Sequence, residues 1–352
     1  MKSPKFWWKL LCIPLGLYVL LAGLLVPLKP GILGIDNYNA EVGGEFNVNV
    51  IGYNSNYDSA KKLRAYLRID SSYVISHKGV KASSANDLNV SFQIPQYLPT
   101  QDSFASASII LDSEVDGPSV LPGIIHIVQN EIDQQLGNDL WSSAKFTLEP
   151  VVKGFKFPYR NILHETVRNT FFHVAIWFAM FFLLILSLFN SIQYLRLRSY
   201  ELDINASSYA EVAILFGLIG IATGSIWAKY AWGAFWIADV KLNMSAVALL
   251  IYVAYLILRA SIQDIDSRAR LSAAYNIFAF VAMIPLIFVI PRMTDSLHPG
   301  NGGNPALGGE DLDNRLRMVF YPAIILWSII GFWLSSLNIR IKNIAEKLIA
   351  KK

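Results

Sequence analysis

Residues 224–242 read GSIWAKYAWGAFWIADVKL and hold three tryptophans, Trp227, Trp232 and Trp236, followed by Asp239. Apolar segments long enough to span a bilayer flank this stretch on both sides, so the sequence places it at a membrane surface. Residues four and seven positions apart share one face of a helix. A helical conformation would therefore gather Trp232, Trp236 and Asp239 on a single face.

Such a face is a flat, electron-rich platform that ends in polar groups. It suits a large planar ligand with an apolar body and a charged edge, and a porphyrin has this shape. The same tryptophans are also typical of an aromatic belt, because amphipathic rings collect at membrane interfaces. Residues 227–239 by themselves leave both interpretations open.

The composition indicates an integral membrane protein. The chain has 352 residues, of which 54% are hydrophobic and 13% aromatic, with a net charge of +4. It is too apolar for an ordinary soluble enzyme of this length, and its weak net charge gives no reason to expect nucleic acid as a partner. The single cysteine, Cys12, excludes an internal disulfide and a CxxC or CxxCH motif. Neither a thiol oxidoreductase nor a c-type cytochrome is expected.

The apolar segments predict an α-helical polytopic membrane protein. About six transmembrane helices are expected, near residues 10–28, 171–190, 210–227, 244–258, 275–290 and 318–337. Lysines before the first segment, and arginines or lysines after the second, fourth and sixth, mark cytoplasmic ends by the positive-inside rule. Both termini are then expected on the cytoplasmic side, with the tryptophan stretch on the outer side of the membrane.

Residues 31–155 differ from the rest of the chain because no segment there is long and apolar enough to cross a bilayer. Short alternating stretches, such as Phe46, Val48 and Val50, are separated by turn residues. They predict an inserted extracytoplasmic all-β domain of sandwich type, with a docking or scaffolding role. The predicted organisation is a first transmembrane helix at 1–30, the β-rich domain at 31–155, a helical domain at 156–340 and a basic cytoplasmic tail at 341–352.

Two histidines, His173 and His298, lie far apart in sequence but are predicted on the same outer face as the tryptophan stretch. Two neutral imidazoles facing each other across an aromatic platform are what a bis-histidine haem site requires, with each Nε2 donating to one axial position of the iron. Taken singly, each histidine could instead be solvated at the interface. Their joint placement makes both of them candidate axial ligands.

Haem propionates need cationic groups, and the cations predicted on the outer side are Arg168, Arg292, Lys229 and Lys241. Arginine offers bidentate geometry to a carboxylate. Each cation could also be an interfacial side chain whose head reaches water. The sequence contains no nucleophile elbow, HExxH helix or phosphate loop, so we predict no catalytic residues and expect coordination and transfer rather than catalysis.

Three motifs resemble those of the CcmC family of cytochrome c maturation proteins: RNTFFHVAIW at 168–177, WAKYAWGAFWIAD at 227–239 and SLHP at 296–299. The resemblance covers about residues 161–337. It implies that the family's two axial-ligand histidines correspond to His173 and His298. The family's tryptophan signature corresponds to Trp232, Trp236 and Asp239 with the intervening glycine.

The resemblance implies that haem b is bound non-covalently and transiently, and is passed to a CcmE-like haem chaperone. CcmA-, CcmB- and CcmD-like components would assist its release. Asp239 would tune the platform or contact the chaperone. Two alternatives remain: a haem lyase of the CcsA or CcmF type that acts directly on apocytochrome, and a membrane scaffold or sensor without haem.

Overall fold

The computed structural model describes residues 7–141, 148, 154–161, 163–298 and 312–349. The chain separates into two units, one formed by Met1–Val26 with Glu165–Lys352 and the other by Pro27–His164. Within the described ranges, the first unit contains the long helices and the second contains the strands.

The helical unit spans a membrane as the sequence predicts. Six helical segments of the described residues are long and apolar enough to cross a bilayer, so the predicted number of spans is confirmed. In chain order the helices are α1 Trp7–Leu10, α2 Cys12–Leu25, α3 Gln134–Trp141, α4 His173–Leu197, α5 Tyr200–Trp232, α6 Val240–Ser261, α7 Ile265–Ile284 and α8 Asn314–Ile349. The short helix α3 belongs to the strand-bearing unit.

Two helices change geometry at their ends. A 3-10 segment, His164–Phe171, leads into α4. After α7 the chain forms a π-helical turn, Pro285–Val289, and then a 3-10 turn, Ile290–Arg292. Proline has no N–H to donate to the preceding turn, so the regular α-helical pattern of hydrogen bonds ends there.

α5 and α8 extend beyond the predicted apolar segments. α5 begins at Tyr200 rather than near residue 210, and α8 continues to Ile349. Residues 341–349, predicted as part of a basic tail, are therefore helical. A hydropathy window detects only the apolar part of such a helix and misses polar residues that are paired inside the bundle.

The tryptophan stretch is not one helix, so the predicted single face is wrong. α5 ends at Trp232 because Gly233 takes the left-handed conformation, with φ of 82°, which glycine adopts at little cost. α6 begins immediately after its N-cap residue, Asp239. Trp232 therefore ends one helix, Trp236 lies in the irregular connection, and Asp239 starts the next helix.

α4 packs along a row of glycines on α5. A Cβ added at Gly220 would lie 2.8 Å from the Trp177 indole, and one added at Gly224 would lie 2.7 Å from Cε1 of His173. Only glycine leaves room for these two side chains, which is the small-residue packing common between membrane helices. The close approach brings His173 against the last turns of α5.

The second unit contains the predicted β-rich domain. Its described strands are β1 Gly31–Ile35, β2 Asn39–Glu41, β3 Glu45–Tyr53, β4 Leu63–Arg68, β5 Val74–Ser76, β6 Gly79–Ala82, β7 Asp87–Gln93, β8 Phe104–Ser113 and β9 Gly117–Val128. They form two sheets, with the orders β1-β3-β7-β6 and β2-β9-β8-β4-β5. β2 pairs with β9 in parallel, and the remaining pairs between these strands are antiparallel.

The two sheets share one hydrophobic core. On β3 the predicted alternation is observed, since Phe46, Val48 and Val50 are buried and the residues between them are not. These side chains pack in one cluster with residues of the other sheet, such as Ile109 and Ile125. Inner faces that contribute to a common core define a β-sandwich, which confirms the predicted fold class.

Candidate functional site

His298 is held by a buried carboxylate. Its Nδ1 lies 2.9 Å from Oδ1 of Asp239, whose side chain is 2% exposed. Because an ionised carboxylate can only accept, the proton lies on Nδ1 of His298 and is donated to Asp239. Burial lowers the pKa of the His298 imidazole below its usual value, although the Asp239 charge opposes this. The neutral ring then presents Nε2 without a proton, as a metal-binding imidazole does.

Asp239 is itself fixed by hydrogen bonds from two directions. Oδ1 accepts from the backbone N–H groups of Lys241 at 2.9 Å and Leu242 at 3.3 Å, as the N-cap of α6. Oδ2 accepts from Ser296 Oγ at 2.8 Å and Leu297 N at 2.9 Å. Burial raises the pKa of this carboxyl, but the hydrogen bonds from Ser296, Leu297 and Leu242, together with the nearby His298, bring the pKa below its usual value. Asp239 is therefore ionised at neutral pH.

Two indoles surround the His298 ring. The Trp232 ring centroid lies 4.9 Å from the imidazole centroid at an interplanar angle of 74°, and the Trp227 centroid lies 5.8 Å away at 40°. The indoles also contact each other edge to face, with centroids 4.7 Å apart. Trp227 Nε1 donates to Thr166 Oγ1 at 3.2 Å. The imidazole is thus enclosed by aromatic rings on its apolar sides and by a carboxylate at Nδ1.

His173, the first residue of α4, contacts α5 through its Nδ1. This atom lies 3.1 Å from Oγ1 of Thr223. The threonine hydroxyl has one proton, which it directs at the carbonyl oxygens of Ile219 and Gly220, 2.9 and 3.1 Å away. Thr223 must then accept from His173, so the Nδ1 of this ring also carries the proton. Nε2 is again the atom left for a ligand.

His173 and His298 converge on the last turns of α5. Thr223 and Trp227, which contact them, are one helical turn apart, about 6 Å along the axis. The Nδ1 contacts with Thr223 and Asp239 hold the two rings, and the His173 ring also faces the backbone of Gly220.

This donor set suits a haem iron better than a bare metal ion. A haem iron takes four ligands from the porphyrin and needs only two from the protein, which two imidazoles with free Nε2 atoms can supply. Across the described ranges, no group of three or more His, Cys, Asp or Glu side chains is arranged to hold an isolated metal ion. The aromatic surroundings match the apolar body of the porphyrin.

Trp236 lies apart from the enclosed imidazole. It is 43% exposed, and its Nε1 donates to Oδ1 of Asn243 at 3.2 Å. Ring contacts with His298 within the described part of the chain come from Trp227 and Trp232 and not from Trp236. The structure therefore divides the predicted tryptophans into two that enclose the histidine and one on the exposed connection.

The predicted cations are placed unequally. Arg168 pairs through Nε with Glu165 at 2.5 Å and donates from Nη1 to the carbonyl oxygen of Gly23 at 2.9 Å, so its guanidinium faces α2. Lys229 donates to the carbonyl oxygen of Gly233, the residue after α5, at 2.8 Å. Arg292 is exposed at the end of its 3-10 turn and makes no side-chain hydrogen bond with the described residues. Of the two arginines, Arg292 has the more accessible guanidinium.

Three hydroxyl residues that orient the site were not predicted: Thr166, Thr223 and Ser296. The first accepts from an indole N–H, the second from an imidazole, and the third donates to the site carboxylate. The role of Ser296 was weakly indicated in the sequence, because short polar residues in tight turns often form hydrogen bonds with nearby groups. The two threonines carried none, because their contacts depend on how the helices pack.

The chain is similar to known haem exporter proteins. The family model described as "Heme exporter protein C", CcmC, matches residues 140–352. Three similar proteins of that name are from Paracoccus denitrificans (26% identical over 193 residues, 54% of this chain and 77% of the relative), Escherichia coli K12 (26% over 148 residues, 40% and 55%) and Bradyrhizobium diazoefficiens (29% over 153 residues, 42% and 56%).

The match covers the helical unit from α4 onward and excludes the strands. The chain spans just over half the length of the Escherichia coli and Bradyrhizobium relatives. The described strands end at Val128, before the matched range begins. The matched range contains the candidate site residues His173, His298, Trp227, Trp232 and Asp239. Because the family model matches more than half of its residues, the chain belongs to the Heme exporter protein C family, CcmC.

Proposed function

We propose that this protein binds haem b at the outer face of the bacterial cytoplasmic membrane and passes it to a CcmE-like haem chaperone. Membership of the Heme exporter protein C family supports a haem-handling role in cytochrome c maturation. The observation that carries the proposal is the convergence of two neutral imidazoles on one end of α5, each with its Nδ1 hydrogen-bonded. Haem is here the cargo and not a resident catalytic group.

In this proposal His173 and His298 are the axial ligands. Asp239 acts on the iron through His298, because a carboxylate that accepts from Nδ1–H fixes the ring orientation and makes Nε2 a stronger donor. Thr223 holds His173 in the same tautomer without adding charge. Trp227 and Trp232 form the apolar wall, so that the porphyrin body leaves water when it binds.

The propionates are assigned to Arg292 and Arg168. Arg292 is exposed and needs no existing bond to be broken. Arg168 would have to exchange the Glu165 carboxylate for a propionate, which is an exchange of one carboxylate partner for another. Trp236, on the exposed connection, would contact the porphyrin edge.

Transfer requires that the bound haem can leave. Both proposed iron ligands are neutral side chains held by coordination alone, so a ligand of the acceptor can replace them one at a time. CcmA-, CcmB- and CcmD-like components are proposed to assist this release. The unit formed by Pro27–His164 is proposed to dock a protein partner on the same side of the membrane.

The test compares the wild type with His173→Ala and His298→Ala, each purified from haem-replete membranes. The wild type is expected to carry haem with a low-spin, six-coordinate absorption spectrum. Each variant should lose haem or become high-spin, because one axial position is vacated. His126→Ala is the matched control, since this histidine lies on β9 of the second unit and contacts Ser106.

The outcomes separate the alternatives. Wild-type spectra in both variants would show that His173 and His298 are not the axial ligands. A wild type without haem, even after haem addition, would favour the scaffold or sensor. Incubation of the haem complex with a CcmE-like acceptor should move haem to that acceptor, whereas direct attachment of haem to apocytochrome thiols would identify a haem lyase.

A further inference from the structure

A second polar site lies at the opposite end of α5 from the two histidines. Four helices enclose an open cavity of about 510 Å³ there. Asp203, near the start of α5, is about 30 Å along the helix axis from Thr223. The charged side chains that line the cavity are Asp203, Glu211, Arg259, Arg268, Lys342 and Glu346.

Two of the three cations in the cavity are already neutralised. Arg259 makes a bidentate pair with Asp203, at 2.6 and 2.8 Å, and both side chains are largely buried. Lys342 donates to Glu211 at 2.6 Å and to the Ser207 hydroxyl at 2.9 Å. These groups satisfy one another and form the wall of the cavity.

Arg268 is the cation left over. Its Nε is buried and makes no hydrogen bond with any described residue. A guanidinium cannot lose its proton to relieve this, and an unsatisfied buried donor of this kind is costly. A ligand with anionic oxygens in the cavity would complete its hydrogen bonding. Glu346, also in the lining, is exposed and has no side-chain partner among the described residues.

The surroundings indicate that the ligand comes from the bilayer. The helices around the cavity expose apolar side chains next to its lining residues: Ile257 beside Leu256, and Ile341 beside Lys342. In a membrane-spanning helix such side chains contact lipid chains. Basic pockets between transmembrane helices bind lipid headgroups, and this cavity combines cations with acidic side chains. A headgroup placed in the cavity would let its acyl chains run along these faces.

We infer that this cavity binds the headgroup of a zwitterionic phospholipid, with its phosphate on Arg268 and its ammonium on Glu346. One unpaired cation and one unpaired anion in the same cavity complement a headgroup that carries both charges. A phosphate diester offers Arg268 the acceptor oxygens that its N–H groups lack. The inference does not depend on the haem proposal, because it concerns side chains at the other end of the helices.

The test uses the full-length protein, delipidated in detergent and titrated with dioleoyl phosphatidylethanolamine while bound lipid is counted by native mass spectrometry. The wild type should bind the lipid, and Arg268→Gln should weaken binding about tenfold through the loss of a charge-assisted pair. Arg270→Gln is the matched control, because Arg270 is exposed on the same helix and does not line the cavity. Glu346→Gln should remove the preference for phosphatidylethanolamine over dioleoyl phosphatidylglycerol.

Several results would overturn the inference. Equal binding by the wild type and Arg268→Gln would do so, as would equal affinity of the wild type for both lipids. Displacement of the lipid by millimolar inorganic phosphate would identify a site for soluble phosphate instead. Should Arg268→Gln fail to fold, Arg268→Lys keeps the charge and loses the planar donor pair, and weaker lipid binding is expected of it too.

Discussion

The two ends of α5 hold polar groups in opposite states. Near its start, Asp203 and Arg259 satisfy each other through two hydrogen bonds, and Glu211 pairs with Lys342. Near its end, the two site imidazoles are held through a protonated Nδ1 and carry no proton on Nε2. The paired charges hold helices together, whereas the unprotonated Nε2 of each imidazole is available to bind a ligand.

The difference shows how one bundle serves both packing and binding. Ion pairs inside a membrane are stable when each charge has a close partner. Such a pair holds together the two helices that carry its residues. Neutral imidazoles cost less to bury than charges, so they can remain partly unsatisfied until a ligand arrives. We therefore expect changes at the start of α5 to affect stability and changes at its end to affect ligand binding.

The largest effect is expected from Arg259→Ala. The Asp203 side chain is 7% exposed, and removal of its partner leaves a buried carboxylate alone, which costs about 3–5 kcal/mol of the free energy of unfolding. Denaturant unfolding in detergent micelles measures the loss. Protein that remains folded should keep the wild-type haem spectrum, because the pair lies far from the histidines.

The control for this prediction removes both charges. Asp203→Leu combined with Arg259→Met replaces the ion pair by apolar side chains of similar size, and it should recover most of the lost stability. A single variant Arg259→Ala that loses less than about 1 kcal/mol would mean that the pair is a weak, solvated one. The contrast between the two ends of α5 would then fail.

The second-largest effect is expected at Asp239, which both accepts from His298 and caps α6. Asp239→Ala removes the carboxylate behind His298 and should lower haem affinity about 10–100-fold. It also removes the N-cap of α6, at about 1 kcal/mol of stability. Asp239→Asn keeps one oxygen that can cap α6 and accept from Nδ1–H, so its haem affinity should fall less; its amide NH2 group cannot accept from the Leu297 N–H, so part of the stability should still be lost.

Haem titration followed by absorption, together with thermal unfolding, measures both quantities in the same samples. Asn243→Ala serves as a comparison, since it removes a polar side chain close in sequence that accepts a hydrogen bond from Trp236 and not from the histidine. Equal haem affinity in Asp239→Ala and the wild type would show that Asp239 acts only as a helix cap.

Much of the fold could be read from the sequence because hydropathy and alternation report burial directly. The six spans and the strand containing Phe46, Val48 and Val50 follow from these patterns. The start of α5 could not be read in this way, because Asp203 lowers the local hydropathy although it is buried against Arg259. Its partner lies 56 residues away in sequence, and only helix packing brings the two together.

The candidate site, like the fold, could be predicted from the sequence only in part. That His173, His298 and the tryptophans belong to one region followed from the topology, and their role as haem contacts stays a prediction. The assumption of one continuous helix failed because it neglected Gly233 as a helix end and Asp239 as a helix start. Both are ordinary capping signals. The contact between Asp239 and His298 depends on tertiary structure and had no counterpart in the sequence.

The smallest effect on haem retention is expected from the tryptophans. It distinguishes the predicted continuous tryptophan face from the observed arrangement, in which Trp232 contacts His298 and Trp236 lies on the exposed connection. Trp232→Phe disturbs the contacts with His298 and Trp227, so haem retention should fall about 2–10-fold, the equivalent of one aromatic pair. Trp236→Phe removes an exposed indole and its bond to Asn243, and should change retention by less than about twofold. Equal losses in the two variants would mean that bound haem contacts both rings, which would require the connection after α5 to fold over the ligand. A larger loss in Trp236→Phe would place the porphyrin on the connection and not beside the enclosed imidazole.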